Sequence, residues 1–108
     1  MKQIQAYIKK HKLNEVLRVL QQCRLISGLS VLDRQGFGRA MLDPGSSETD
    51  LYPGVKLEVF CPSEVAEEVA ALIEKAAHTG LKGDGKIYLG PIDQAIRIST
   101  GERGEKAI

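Results

Sequence analysis

Charge of one sign is missing from this chain. Its 108 residues carry 15 Lys and Arg against 14 Asp and Glu, a net charge of +1, and the basic residues are scattered rather than grouped. A protein that grips nucleic acid concentrates positive charge on one face, so nucleic acid is not an expected partner. Cysteine is scarce as well. Cys23 and Cys61 are the only two; they do not form the close pair of a redox or zinc motif and read as reduced, structural thiols of a cytoplasmic protein. Long apolar runs are also absent. The start, Met1-Lys2-Gln3-Ile4-Gln5-Ala6, alternates polar and apolar residues without the apolar stretch of a secretory signal, and no segment reaches the length of a membrane span. The expectation is a cytoplasmic protein with no direct membrane insertion.

What is present suits one globular unit. Apolar residues make up 43% and charged residues 27%, and a chain of this length builds one two-layer core, so residues 1–108 read as a single domain. Ile4, Ala6 and Ile8 alternate with polar neighbours, predicting a strand over 2–9. From Leu13 the period changes. Leu13, Val16, Leu17, Leu20 and Cys23 form one helical stripe, which predicts a helix ending near Gly28. A second strand follows over 29–34, and Gly36-Phe37-Gly38 breaks it. Residues 39–54, with turn chemistry at Asp43-Pro44-Gly45 and Tyr52-Pro53-Gly54, predict a long loop of the kind that engages a partner.

Val55, Leu57, Val59 and Cys61 predict a third strand, closed by Pro62. Ser63 is placed to cap a second helix whose buried stripe is Val65, Val69, Leu72, Ile73 and Ala76, and which stops by Gly80. Short strands are expected over 86–89 and 92–98, the second with Ile96 and Ile98 inward and Arg97 and Ser99 outward. The order is α+β, a ferredoxin-like βαββαβ with an antiparallel sheet carrying both helices on one face, plus a short C-terminal strand and a tail over 99–108. Tyr7, Leu32 and Phe60 fall on the other face. They are too apolar to leave a whole sheet in water, which predicts sheet-to-sheet association in a symmetric oligomer.

The chemistry concentrates in glycine-rich segments. Thr79-Gly80-Leu81-Lys82-Gly83-Asp84-Gly85-Lys86 sets three glycines and two lysines between a helix end and a strand. Glycine admits positive φ and lets backbone N–H groups approach an anion, while lysine neutralises phosphate charge. Alone, such a cluster reads as a helix cap and turn, with Gly80 as the cap. It is not a Walker A loop, because the required spacing to Gly-Lys-Ser/Thr is absent. Gly36-Phe37-Gly38-Arg39 offers a second pairing of relaxed backbone with a cation, and Arg97 a third cation on a separate segment.

Met1-Lys2 with Ile4-Gln5-Ala6, Lys12-Leu13-Asn14-Glu15-Val16, Gly36-Phe37-Gly38-Arg39, Thr79-Gly80 with Gly83-Asp84-Gly85-Lys86-Ile87, and Ile96-Arg97-Ile98 with Thr100-Gly101-Glu102 closely resemble the PII signal-transduction proteins, across the chain except its central loop. The resemblance implies a non-enzymatic homotrimer with adenine nucleotide (ATP, ADP or AMP) in the clefts between subunits. It also implies a T-loop, here about 39–54, that grips a protein target, with a membrane transporter of bicarbonate or other carbon uptake, or of metal efflux, as the expected setting. By position, Ser30 and Glu58, Val59 and Phe60 would surround the nucleoside. Gly36, Phe37, Gly38 and Arg39, together with Gly83, Asp84, Gly85 and Lys86, would hold phosphates, and Arg97 would reach in from a neighbouring subunit. No metal site is implied; bicarbonate is a candidate second effector, and the place of magnesium is left open.

The chain departs from the family where the family binds 2-oxoglutarate. Ala40 stands in place of a glutamine and Gly54 in place of a lysine, so neither a donor nor a charge is offered there, and 2-oxoglutarate sensing is doubtful. Ser99 replaces a second arginine, which shifts the expected preference from ATP toward ADP, AMP or a cyclic nucleotide. Leu81 replaces a lysine, with Lys82 following. Tyr52 is the one candidate for covalent modification, but its neighbours match an earlier, different segment of the family loop, so it reads as a structural tyrosine in a shortened loop. Two alternatives remain: a copper-tolerance-type metal-responsive trimer, for which His11, His78, Cys23 and Cys61 show no ligand spacing, and a small phosphatase, for which no catalytic constellation lies beside the phosphate loops.

Overall fold

The structure, a computed structural model, describes residues 1–36, 44–45 and 52–108. Strand β1 spans Lys2–Ile8, helix α1 Leu13–Gln22, β2 Gly28–Gly36, β3 Tyr52–Cys61, α2 Ala66–Ala77 and β4 Gly85–Pro91. These elements give the predicted β-α-β-β-α-β order. The strands form one sheet in the order β2-β3-β1-β4, and every neighbouring pair is antiparallel.

Side-chain alternation builds the core. Ile4, Ala6 and Ile8 lie opposite Val59, Leu57 and Val55 across the central ladder, and all six are buried. The helices cover this face. Val16 and Leu20 of α1 and Val69, Ala70 and Ile73 of α2 join the same buried cluster, each large side chain adding about 1.5–3 kcal/mol of transfer free energy. Because strand neighbours point to opposite faces, Gln5, Tyr7, Leu32, Lys56, Glu58, Phe60, Lys86 and Tyr88 are left on a face without helices. Leu32 and Tyr88 are exposed there, while Tyr7 and Phe60 are half-buried.

Four expectations are corrected. Helix α1 ends at Gln22 and not near Gly28: beyond Cys23 the buried stripe would continue with Arg24 and Ser27, which have nothing to bury. Ser27 N–H instead donates to the Phe60 carbonyl at 2.8 Å, launching β2 along β3. Strand β3 begins at Tyr52, within the predicted loop, with Tyr52, Pro53 and Gly54 opposite Gly36, Gln35 and Arg34. β1 stops at Ile8 opposite Val55, so this stretch has one neighbour only, and a proline lacking its N–H is tolerated.

Ser63 does not cap α2; it opens a 3-10 turn over Ser63–Val65, and its Oγ accepts from the Met1 amine at 2.7 Å. Finally, residues 92–98 form no strand. Ile92 N–H donates to the Met1 carbonyl at 3.1 Å, and β1 has then run out, leaving only a single bridge between Ile96 and Arg103. Ile96 and Ile98 are 50% and 98% exposed rather than inward. No helix among the described residues is long and apolar enough to cross a membrane.

Candidate functional site

The loop from Thr79 to Lys86 joins α2 to β4. The last helical bond of α2 runs from His78 N–H to the Glu74 carbonyl at 3.1 Å, and His78 itself is already extended. Gly80 therefore lies two residues past the cap position rather than at the residue that follows it. The loop nevertheless needs glycine. At Gly85, φ is +106°, and a Cβ would sit 1.7 Å from the Tyr7 carbonyl oxygen. There the loop closes onto β1, opposite Ile8.

Asp84 ties the loop from inside. Its carboxylate accepts from Thr79 N–H at 2.9 Å, from Gly80 N–H at 3.2 Å and from the Thr79 hydroxyl, and Lys9 Nζ lies 3.2 Å away. Lys9 also donates to Thr79 Oγ1 at 3.3 Å, and Leu81 N–H to the same oxygen at 3.0 Å. Hydrogen bonds from the Thr79 hydroxyl and backbone, reinforced by Lys9 and Gly80, hold the Asp84 carboxyl well below the usual carboxylate range. A carboxylate so occupied is a brace, with little basicity left for proton transfer. Lys86, next along, makes no ion pair among the described residues and stands directly opposite Tyr7 on the open face.

A cavity of about 510 Å³ lies between α2 and β4 and touches the loop at Asp84, Gly85 and Lys86. Its helical wall carries Glu67 and Glu74, which repel polyphosphate. The anion-binding potential is therefore on the open face, where Lys86 and Lys56 flank Tyr7 on neighbouring strands.

The predicted nucleoside residues lie elsewhere on that face. Ser30 of β2 is opposite Glu58 of β3, and Gly28 is opposite Phe60. Val59 points the other way and is fully buried, so only its backbone is available to a ligand. Gly36 ends β2. Phe37, Gly38 and Arg39 lie outside the described residues, as does most of the 39–54 loop. Arg97 sits in a separate turn, its N–H bonded to the Glu102 carbonyl at 2.9 Å and its Nε 4.0 Å from the Glu102 carboxylate. Tyr52, on β3, is half-exposed opposite Gly36. Because β2 and β4 are the two edges of the sheet, Ser30 and Lys86 are three strand spacings, about 14 Å, apart across the sheet and two residues apart in register. A single chain holds the two half-sites apart.

Lys9 was not among the residues singled out from sequence, and Thr79 was named only as the first residue of the glycine loop. Lys9 and Thr79 are seventy residues apart, and only the end of β1 beside the α2–β4 loop brings them together. Among the described residues, no group of three or more His, Cys, Asp or Glu could hold a metal ion.

The family model for nitrogen regulatory protein P-II matches residues 1–102. The chain belongs to the P-II family. It is similar to the nitrogen regulatory protein P-II of Azospirillum brasilense, at 40% identity, and of Rhodobacter capsulatus, at 43%, with all of this chain and all of each relative covered. Both alignments run over 116 positions against 108 residues here, so this chain lacks eight positions that the aligned proteins carry. Among solved structures, it is similar to Arabidopsis thaliana PII bound to citrate, with a TM-score of 0.81 and 34% identity over 99% of this chain and 91% of that one. P-II proteins are regulators and not enzymes, which removes the phosphatase alternative, and membership of this family removes the copper-tolerance one.

Proposed function

We propose that this P-II chain is a cytoplasmic homotrimer that binds adenine nucleotide between subunits and passes the occupancy to a protein target through its 39–54 loop. The observation that carries the reading is the braced Thr79–Lys86 loop. Asp84 and Lys9 fix it, glycines with φ of +80°, +86° and +106° shape it, and neither Lys82 nor Lys86 makes an ion pair among the described residues. A loop so built offers the backbone N–H groups that the brace leaves, together with Lys82 and Lys86, to a phosphate without having to reorganise.

The separation of Ser30, Glu58 and Phe60 from Gly83–Lys86 supports an intersubunit site, since a second copy has to close the pocket. Gly36, Arg39 and Arg97 are the further phosphate-holding groups in this proposal. With Ser99 in place of a second cation, ADP or AMP is expected to bind at least as well as ATP. Bicarbonate is proposed as a second effector and a membrane transporter as the target. 2-Oxoglutarate sensing of the family kind is not part of the proposal, because Ala40 and Gly54 supply neither donor nor charge.

The test is a thermal-shift and calorimetric panel of ATP, ADP, AMP and cyclic AMP, each with and without bicarbonate. A ligand that binds only the folded state raises the melting temperature by mass action. Arg39→Ala or Lys86→Ala is expected to weaken the response; no response to any adenine nucleotide in the wild type would remove the proposal.

A further inference from the structure

Lysines far apart in sequence meet at the end of the sheet where β1 stops. Lys10 opens the 3-10 turn that follows β1, Lys75 lies in the last turn of α2, and Lys82 sits in the loop that α2 enters. The Lys9–Asp84 contact at 3.2 Å closes the turn against that loop. Lys10, Lys75 and Lys82 are exposed and make no ion pair among the described residues. Acids of the same end are partly engaged: Lys9 holds Asp84, and Lys12 holds Glu15 at 3.1 Å. Asp33, beside Lys10, and Glu74 are left against the three lysines.

Leu81 stands at the tip of this end, directly before Lys82, and is 72% exposed. Its exposure is built into the loop. Gly80 and Gly83 turn the chain on either side of it with φ of +80° and +86°, and Leu81 N–H donates to Thr79 Oγ1 at 3.0 Å, inside the Asp84 brace. A fixed backbone thus holds an aliphatic side chain out in water, forgoing the free energy of its burial. An apolar tip among cations suits the boundary of a lipid layer, where the tip reaches the acyl edge and the lysines meet anionic headgroups.

We propose that this end of the molecule docks on an anionic lipid surface, with Leu81 entering the headgroup layer and Lys10, Lys75 and Lys82 lying against the lipid phosphates. Point charges on three separate elements suit a diffuse array of counter-charge that imposes no register. An acidic peptide along the loop would meet Glu67 and Glu74 on the wall of the neighbouring cavity and be repelled. β2 ends at Gly36 and β3 begins at Tyr52 on this same side, so a target within a membrane and the membrane itself are met by one end of the chain. The inference goes beyond the reading above and needs neither the transporter nor the nucleotide. Lys82 is shared with the phosphate site; Lys10, Lys75 and Leu81 are not.

The test is flotation of the full chain with vesicles of phosphatidylcholine alone and of phosphatidylcholine with roughly one third phosphatidylglycerol. Flotation is expected with the anionic vesicles only, falling between about 50 mM and about 300 mM sodium chloride. Lys75→Glu is expected to weaken it at least about fivefold, whereas Arg18→Glu, the same change of charge on an exposed position of α1, is expected to leave it within about twofold. The chain has no tryptophan of its own, so the emission of Leu81→Trp reports the loop tip alone. It is expected to shift to the blue with anionic vesicles and to be quenched by brominated acyl chains. Equal flotation with both vesicles, none with either, equal losses in Lys75→Glu and Arg18→Glu, or an emission that does not shift would overturn the proposal. Retention on immobilised polyglutamate without flotation would overturn it in favour of an acidic protein. Calorimetry with ATP and ADP on the same samples reads failure of nucleotide binding separately from failure of lipid docking.

Discussion

Asp84 shows how much a single residue does in this chain. Its folded carboxyl is held below its ordinary value chiefly by the Thr79 hydroxyl and backbone N–H. A group whose affinity for protons falls on folding stabilises the protein fully above its unfolded pKa, about 3.9 for Asp, and loses that contribution as pH drops below it. The melting temperature of Asp84→Asn should therefore lie below that of wild type near about pH 6, with the gap constant down to about pH 4, narrowing below that and still open at about pH 3. A gap that does not narrow at all between about pH 4 and about pH 2.5 would mean that the charge does not brace the loop. Gly85 is the second determinant. Alanine there meets both a φ of +106° and the Tyr7 carbonyl, so Gly85→Ala is expected to cost more than about 1 kcal/mol in urea unfolding. Cys61 differs from Cys23 in being fully buried, and burial pushes its thiol pKa up. A thiol reagent should modify Cys23 in the native protein and reach Cys61 only on unfolding.

At the scale of elements, α2 locks the layers together. Ile73 is fully buried against the sheet, and Ile73→Ala should cost about 2–5 kcal/mol, read as a lower urea midpoint at constant slope. The strands and helices were legible in sequence because each has a buried face written with its own period: two for Ile4, Ala6 and Ile8, and near 3.6 for Val69 and Ile73. Legibility failed where pairing, not periodicity, decides. Tyr52-Pro53-Gly54 looks like a turn and is a strand because β2 happens to extend beside it, whereas Ile96-Arg97-Ile98 looks like a strand and finds, among the described residues, no more than the single Ile96–Arg103 bridge. The glycine loop was visible as composition. Its brace was not, since the Lys9–Thr79–Asp84 contacts depend on where the end of β1 meets the loop.

For the whole molecule, the open sheet face and the divided half-sites point the same way. Leu32 and Tyr88 remain exposed on a face without helices, and one chain keeps Ser30 and Lys86 at opposite edges of the sheet. Light scattering coupled to size exclusion is expected to give three times the chain mass, and Leu32→Asp to lower it while leaving the secondary structure intact, since a charge buried at an interface lacks a partner. The central claim is that the Thr79–Lys86 loop holds the phosphates of an adenine nucleotide. Isothermal titration calorimetry of ATP, ADP and AMP into wild type and Lys86→Ala tests it most directly. Saturable binding of at least one nucleotide is predicted, weakened in the variant by about 1.5–3 kcal/mol, the worth of a hydrogen bond to a charged group; equal affinity in the two proteins, or no heat with any of the three, would contradict it.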